Sequence, residues 1–397
     1  MILVASNYLY DTVSMLHHRS TRVQVRVMQK RTDCKMKHLD LESYRRVNES
    51  FHRRLVCRIG VDCGFFVEMN YMVNAMLYCL ANRIQFQLFS RDANFGTGIG
   101  WTEYFQPFCK EVYEPYHLKY NLHMPPTWKR ILKKRSLNMI VWKLKSIIKT
   151  LIGRIIGLWI YKERVLLNQD VVSVAKHHFV IPELDIDGDY TEVYGIIVRM
   201  IWRLRPEIIR QEHELKKEIS LPDSYFGAHI RGGDKAIEAH LISGKEMLSA
   251  LSPKEGDNVF VLIDNYQQLE MIRSEFPHLR ILSLCQTYEK GYFHQEFIRL
   301  APQQKKESII RLIISVDILL NSQAFVGTIT SGPSVFIMKV RANESSVFAI
   351  DCPKEKLVDS LSLNSEERAA ISYASIHNAV HGYDSCRKRN HPFHQKL

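Results

Sequence analysis

A short segment of the chain, YFGAHIRGGDK (Tyr225 to Lys235), joins an apolar run to charged residues and two glycines. Arg231 and Lys235 supply positive charge, and Gly232–Gly233 frees the backbone between them. A guanidinium group binds phosphate oxygens in pairs, an ammonium group adds a point charge, and glycine allows a close backbone approach. The segment therefore predicts a docking site for an anionic group at the end of a strand.

Three further strand ends in the second half of the chain carry polar groups. They are IDN (Ile263 to Asn265), SLCQTYEKGY (Ser283 to Tyr292) and TITSGPS (Thr328 to Ser334). In the last of these, hydroxyl groups precede a predicted helix, whose N-terminal N–H groups can hold a phosphate. Ligands of open parallel sheets bind beyond the carboxyl ends of the strands, so these segments predict a pocket for a nucleotide diphosphate.

The elements that must position these groups alternate along the chain. From Tyr225 onwards, strand-like runs such as NVFVLID are separated by helical runs such as QQLEMIRSEF and KESIIRLIISVDILLNS. In the first half, RLVCRIGV, a helical stretch and QFQLFS follow a βαβ pattern. The alternation predicts an α/β protein whose second domain is a parallel, doubly wound sheet.

Each site residue also has a purely structural interpretation. A histidine at a strand end, such as His229, is usually a hydrogen-bonded structural residue. Arg231 can form an ion pair with Asp234, and Asp264 can cap the helix that follows it. Only the convergence of several strand ends favours a binding site over these alternatives.

The composition excludes disorder as the main state of the chain. With 397 residues, 46% of them hydrophobic, the chain is long enough for two globular domains. The net charge of +12 favours an anionic partner, which is nucleic acid, an anionic membrane surface or a nucleotide. The eight cysteines include no CxxC pair, which argues against a compact zinc site. In a chain of this size we expect them to be reduced and partly buried, since disulfides need an oxidising location. We expect neither a secretory signal nor a transmembrane helix, since no apolar run reaches about 18 residues.

Residues 128–164 are almost entirely basic and apolar, with Glu163 as their only acid. The pattern predicts two helices with cationic faces. Such helices either lie in the interface of an anionic membrane or pack on a core with solvated lysines, and the pattern favours neither. Nucleic-acid binding ranks third, because the aromatic residues are embedded among aliphatic ones. The acidic segment PELDIDGDY, which follows this region, is predicted to be a loop, with Asp187–Gly188–Asp189 as a turn.

The motif HIRGGDK resembles the His-x-Arg-x-x-Asp-Lys segment of the core α1,6-fucosyltransferases and the rhizobial Nod-factor fucosyltransferases. VFVLIDN with its following helix, and SVDILLNSQAFVGTITSGPSVFIMKV, are similar to further blocks of that family. The first half resembles the block that runs from a Cys-Gly loop to Gly-Trp-x-x-x-Phe. In total the resemblance covers Arg54 to Cys109 and Tyr225 to about Arg341.

The resemblance implies a GT-B architecture, with two Rossmann-like domains facing a central cleft. Under this interpretation residues 1–50 are a basic extension and 51–222 an open α/β domain on the acceptor side, with the basic insert at about 126–165. Residues 223–352 then bind the GDP-sugar, and 353–397 form a tail.

The resemblance also implies GDP-fucose as donor, no metal, and a set of site residues. The donor-binding positions are His229 and Asp317 near the guanine, Arg231 on the β-phosphate, Asp264 in the nucleotide site and Ser331 near the diphosphate. The implied catalytic group is Asp234, Lys235 and Glu238. Glu238 is the predicted base although the family's glutamate falls at Ala239 by counting. The chain departs from the family at Gly232, Asn265 and Gly332, where charged or amide groups are expected.

The expected function is therefore inverting, metal-independent transfer of fucose from GDP-fucose to a hydroxyl of a glycan acceptor, such as a lipid-linked envelope glycan. The alternatives are a transferase for another GDP-sugar and a non-catalytic, membrane-associated binding protein. We expect a cytoplasmic enzyme, peripheral to the inner membrane face and not bound to nucleic acid. A secretory-pathway location would instead allow Cys57 and Cys109 to pair, as the family's cysteines in similar places do.

Overall fold

The computed structural model of the protein describes residues 38–60, 63–121, 137–156, 163–165, 174–233, 242–364 and 367–375. Most of the predicted extension, parts of the basic insert and the end of the predicted tail lie outside these residues. The three predicted catalytic residues, Asp234, Lys235 and Glu238, lie outside them too.

The described strands form two parallel sheets and one antiparallel hairpin. They are β1 (Arg53–Arg58), β2 (Ile84–Phe89), β3 (Glu163–Val165), β4 (His178–Ile181), β5 (Ile186–Asp189), β6 (Phe226–Ile230), β7 (Asn258–Ile263), β8 (Arg280–Leu282), β9 (Phe325–Gly327) and β10 (Val347–Ala349). The first sheet has the order β2-β1-β3, the second has the order β10-β9-β6-β7-β8, and β4 pairs with β5. The predicted α/β class, with a parallel sheet in each half of the chain, is confirmed.

Helices connect and cover these strands. They are α1 (Leu41–Ser50), α2 (Phe65–Ala81), α3 (Tyr116–Tyr120), α4 (Leu137–Ile156), α5 (Tyr190–Ile201), α6 (Pro206–Glu218), α7 (Gly244–Leu251), α8 (Tyr266–Glu275), α9 (His294–Phe297), α10 (Pro302–Leu320), α11 (Gly332–Val340), α12 (Leu357–Leu361) and α13 (367–375). A new helix starts at Pro206, because proline fits the first helical position but not a helix interior. None of the helices described is both long and apolar enough to cross a membrane.

The first unit is built around β1 and α2. Strand β1 runs parallel to β2, from Arg53 beside Ile84 to Arg58 beside Phe89. Helix α2 buries most of its residues because it is apolar on nearly all faces. Helix α1 packs against β2, where the Asn48 side chain bonds both the N–H and the C=O of Phe86 at 2.7 and 3.0 Å. The first unit thus starts before residue 51, inside the segment predicted as an extension.

The acidic segment PELDIDGDY is not a loop, which corrects the prediction. Its second half is strand β5, which pairs with β4, and the turn between them lies at Asp185 with φ of 52°. Ile186 and Gly188 are buried, whereas Asp187 and Asp189 are exposed. Both exposed carboxylates lie 2.7 Å from ring nitrogens of His178. The period of two in IDGD, hidden by the acids, was the signal of a strand.

The second unit is a doubly wound sheet centred on β6. The chain passes from β6 to β7 and β8 on one side, then crosses over to β9 and β10 on the other side. The strands are short and almost wholly buried, as expected for parallel strands covered on both faces. Because the strand order reverses at β6, a crevice is expected between the carboxyl ends of β6 and β9.

The two units share one hydrophobic core. The rings of Phe66 on α2 and Phe336 on α11 lie 4.8 Å apart, and Trp202 packs against both. Lys339 of α11 is buried, and its Nζ donates to the hydroxyl of Tyr190 on α5 at 2.7 Å. Burial holds the pKa of Lys339 well below its usual value. Packed side chains, rather than chain connections alone, therefore join the two units.

The described cysteines form no disulfide with one another. They are Cys57, Cys63, Cys79, Cys109, Cys285 and Cys352, whereas Cys34 and Cys386 lie outside the described residues. Burial raises the pKa of the Cys57 and Cys109 thiols well above its usual value, so both are protonated and unreactive.

Candidate functional site

The carboxyl edge of the second sheet, where the strand order reverses, brings together several of the residues that the sequence predicted for the site. Strand β6 leads directly into Arg231, and the neighbouring strand β7 leads into Asp264. On the other side, β9 leads through three residues to Ser331 and the start of α11. Because the strands are parallel, these ends lie at one edge of the sheet.

An ion pair between Arg231 and Asp264 forms the centre of this edge. Nη1 of Arg231 donates to Oδ2 of Asp264, and the two side chains are only 18% and 20% exposed. The carboxylate also accepts the N–H of Gly232 at 2.9 Å and the N–H of Tyr292 at 3.2 Å. Asp264 thus fixes Arg231 and the two loops on either side of it.

The helix after β7 is capped by Asn265 rather than by Asp264. Oδ1 of Asn265 accepts the N–H of Gln268 at 3.1 Å, and its Nδ2 donates to the carbonyl of Lys290 at 3.4 Å. The position where the family has a second acid therefore serves here as a helix cap, while Asp264 remains available to the site.

Tyr292 is a site residue that the sequence did not single out. Its ring centroid lies 4.7 Å from the guanidinium carbon of Arg231, and its hydroxyl lies 3.1 Å from Nδ1 of His294. An arginine stacked on an aromatic ring is held in plane while its N–H edge can still donate hydrogen bonds. One signal in the sequence could have identified it. The segment SLCQTYEKGY was predicted to lie at a strand end, and Tyr292 is its last residue.

Two glycines allow the loops after β6 and β8 to touch. Gly233 has φ of 60°, and a Cβ built there would lie 2.3 Å from the carbonyl oxygen of Tyr292. Gly291 has φ of 111°, and its Cβ would lie 2.8 Å from the Cα of Gly233. Gly233, one of the two glycines of HIRGGDK, is therefore required because the two loops cross closely at this position.

His229 is buried behind the site rather than open to a ligand. Its Nδ1 lies 2.7 Å from the hydroxyl of Ser334, in the first turn of α11. Burial, with a smaller contribution from the charge of Arg231, lowers the pKa of His229 to about 3. The neutral imidazole thus attaches α11 to β6, and this geometry gives the predicted guanine contact no support.

The start of α11 packs against the start of α2. Ser331 is the buried N-cap residue of α11, yet its side chain makes no capping hydrogen bond. The N–H groups of a first helical turn carry partial positive charge that favours an anion. A Cβ on Gly332 would lie 3.5 Å from Val67 of α2, and one on Gly64 would lie 3.9 Å from the Tyr292 hydroxyl. The first unit therefore lies in contact with the start of α11 and close to Tyr292.

A buried carboxylate holds the turn before α11 in place. Asp351 follows β10 and accepts the N–H of Ile329 at 2.9 Å, and burial raises its pKa. Nε of Arg368 donates to the carbonyl of the same Ile329 at 2.9 Å. The segment predicted as a C-terminal tail thus helps to position the turn that contains Ser331.

Asp317 does not lie with the other predicted site residues. It is close to the end of α10, which leads into β9, so it lies near the amino edge of the sheet, opposite Arg231. Nε1 of Trp202 donates to its carboxylate at 2.9 Å, and Lys216 lies 3.9 Å away. Burial and the nearby Glu212 raise the pKa of Asp317 to about 6. The placement differs from the predicted guanine contact, because a crossover helix ends where the next parallel strand begins.

At this edge Arg231, which is paired with Asp264 and stacked on Tyr292, and the N–H groups at the start of α11 are the donors that a diphosphate could use, although Pro333 in that first turn supplies none. Asp234, Lys235 and Glu238, whose roles the sequence predicted, lie outside the described residues. Among the residues described, no group of three or more His, Cys, Asp or Glu side chains could hold a metal ion.

No protein-family model matches the chain, and no curated protein matches it by sequence. Among solved structures, the chain is similar to NodZ alpha-1,6-fucosyltransferase soaked with GDP-fucose, at 15% identity over 72% of this chain and 92% of that one, with a TM-score of 0.43. A further NodZ structure, from Bradyrhizobium, gives a TM-score of 0.42. An Arabidopsis thaliana FUT1 variant in complex with GDP is 10% identical over 75% of this chain and 73% of that one, with a TM-score of 0.41. The α1,6-fucosyltransferases are also the enzymes whose motifs the sequence resembles.

Proposed function

We propose that the protein is an inverting glycosyltransferase that moves fucose from GDP-fucose to a hydroxyl group of a glycan acceptor. The observation that carries the proposal is the arrangement of Arg231, which is paired with Asp264, stacked on Tyr292 and placed at the reversal of strand order. The choice of GDP-fucose rests on the family resemblance of the motifs that supply these residues.

Arg231 and the start of α11 would act on the leaving group. As the bond between the fucose anomeric carbon and the diphosphate oxygen breaks, negative charge develops on GDP. The guanidinium and the N–H groups of the first turn of α11 stabilise that charge without having to reorganise, since Asp264 and Tyr292 already hold the arginine. Asp264 then shares the arginine with the diphosphate.

The acceptor hydroxyl would attack the anomeric carbon from the side opposite to GDP. It forms the new glycosidic bond while its proton passes to a base, for which Glu238 is the prediction, with Lys235 predicted to orient it and Asp234 as the second member of the charged pair. General-base assistance of this kind contributes about 10²- to 10⁴-fold to the rate. One displacement inverts the configuration, so a β-linked donor gives an α-fucoside. His229 takes no part in proton transfer, because it is buried and neutral.

The test is an assay of the purified protein with GDP-fucose and a panel of glycan acceptors, with and without EDTA. We expect GDP release that depends on acceptor and is unaffected by EDTA. Competition with GDP-mannose by calorimetry separates GDP-fucose from other GDP-sugars. Failure of every GDP-sugar to bind contradicts the proposal. Binding without turnover on any acceptor would identify a binding protein, the interpretation favoured by the departures at Gly232, Asn265 and Gly332.

A further inference from the structure

Helix α4 exposes its apolar face and attaches to the protein by the opposite one. The exposed aliphatic residues of this face, 38 to 78% accessible, are Leu137, Val141, Leu144, Ile147, Ile148, Leu151, Ile152 and Ile155, and Trp142, 46% exposed, lies outside the face. Ser146 and Gly153 are buried on the other side, where a Cβ on Gly153 would lie only 2.9 Å from the Cβ of Tyr120 on α3. A core-facing amphipathic helix has the reverse orientation, so the structure excludes that interpretation for the described part of the insert.

Positive charge flanks the exposed apolar face. At about 100° per residue, Lys145 and Lys149 fall along one side of the face and Lys143 falls along the other. Lys145 and Lys149 are exposed, and α4 contains no acidic residue. Lysines at the edge of an apolar face can extend their ammonium groups towards anionic headgroups while their stems stay among apolar groups.

We infer that α4 lies in the interfacial layer of an anionic lipid bilayer, with its apolar face towards the acyl chains and its lysines at the headgroups. A large apolar face, flanking cations and an attachment that leaves the face open are the features that such a helix requires. The inference goes beyond the proposed function, and it needs neither donor nor acceptor.

The alternative partner for the exposed apolar face of α4 is the same helix of a second copy of the chain. Leu137, Val141, Leu144, Ile148 and Leu151 follow the spacing of a coiled-coil seam. Ile147 and Ile152, however, widen the apolar sector to about 140°, whereas a two-stranded seam is narrower. A coiled coil also gains from opposite charges beside the seam, and α4 offers only cations. The charge and the width of the face together favour the lipid surface.

The experiment is co-sedimentation of the full chain with vesicles of phosphatidylcholine alone or of three parts phosphatidylcholine to one part phosphatidylglycerol. We expect binding to the anionic vesicles that weakens as the salt concentration is raised.

The double variant Leu144→Glu/Ile148→Glu should lose binding by at least about tenfold, because two charged groups would have to enter the apolar layer. Lys145→Gln/Lys149→Gln should weaken binding by about fivefold for each lysine. The matched control is Met271→Glu on α8, an equally exposed apolar position outside the insert, which should bind as the wild type does.

Three outcomes would overturn the inference. The first is no binding of the wild type to anionic vesicles. The second is unchanged binding of the lysine variant, which keeps the apolar face intact and so should fold. The third is a dimer by light scattering that Leu144→Glu/Ile148→Glu dissociates while vesicles stay unbound, which would assign the face to a second copy. None of these results depends on GDP-fucose, so a failure here is distinct from a failure of the proposed transferase activity.

Discussion

Each parallel sheet carries an arginine at the carboxyl end of its first strand, and the two arginines are used differently. Arg58 at the end of β1 donates to the backbone carbonyls of His117, Leu118 and Asn121 at 3.2, 3.3 and 2.9 Å. It also pairs with Asp92, and its side chain is 9% exposed. Arg58 thus fastens the segment around α3 to the first sheet.

Arg231 at the second sheet has a different kind of partner. It pairs with the Asp264 side chain and stacks on the ring of Tyr292, and it is twice as exposed as Arg58. A diphosphate can share a guanidinium group with a carboxylate and a ring, whereas backbone carbonyls buried in the fold cannot yield their donor without local unfolding. An arginine at a strand end is thus diagnostic of a ligand site only when its partners are known.

Exchanging each arginine for alanine should separate the two roles most strongly. Arg58→Ala should lower the free energy of unfolding by about 3 to 5 kcal/mol, since Asp92 and the carbonyls lose their partner in a buried site. Arg231→Ala should weaken GDP-fucose binding by about 100-fold and cost far less stability, because Asp264 keeps two N–H donors. Urea unfolding and calorimetry measure the two effects. A similar loss of stability in both variants would erase the distinction.

The crossing of the loops at Gly233 should be tested against a glycine without neighbours. Gly256 also has positive φ, 81°, but a Cβ there would meet nothing within 4 Å. Gly256→Ala should therefore cost about 1 kcal/mol of stability, the penalty of a left-handed backbone alone. Gly233→Ala adds a clash with the backbone of Tyr292 and should cost about 3 kcal/mol, as well as weakening donor binding. Equal losses of stability in urea unfolding would contradict this prediction, because they would show that the two loops can move apart at little cost in free energy.

His229 and His178 should contribute to the pH dependence of the free energy of unfolding with opposite signs. The pKa of His229 is lowered to about 3, so stability is full above pH 6.5 and falls by about 1.4 kcal/mol per unit as pH drops towards 3. His229→Asn, which can keep the bond to Ser334, should remove that slope. Asp189 and Asp187 raise the pKa of the exposed His178, so its contribution is present at low pH and disappears as pH rises. Urea unfolding at pH 7.5 and 5.5 distinguishes these cases, and an unchanged slope in His229→Asn would contradict the assignment.

The smallest effect is expected at the stacking ring. Tyr292→Phe keeps the ring over Arg231 and should bind GDP-fucose nearly as the wild type does. Tyr292→Ala removes the stacking and should weaken binding by about fivefold, close to 1 kcal/mol. Calorimetry with both variants measures the difference. Equal affinities would show that Asp264 alone positions the arginine.

Much of the site was predictable because the geometry of parallel sheets is simple. Strand ends that follow apolar runs meet at one edge, so Arg231, Asp264 and Ser331 could be placed together from the sequence. Tyr292 could not be assigned a contact, since it follows an irregular loop whose path depends on positive φ at two glycines. Asp317 was predicted from resemblance, although its position near the end of a crossover helix already argued for the other edge of the sheet. In the hairpin of β4 and β5, the acidic residues of IDGD concealed the alternation of buried and exposed positions that is typical of a strand.

The core shared by the two units has a consequence for cooperativity. With Phe66 packed on Phe336 and Lys339 buried against Tyr190, one large core includes residues of both halves, although the second sheet has a further core on its other face. The chain should therefore melt in a single calorimetric transition, and either half expressed separately should be aggregation-prone. A donor bound at the second sheet should slow proteolysis of the first as well. A hinge between rigid halves would have to break this core, so a donor of the proposed kind would enter by movement of the loops at the edge.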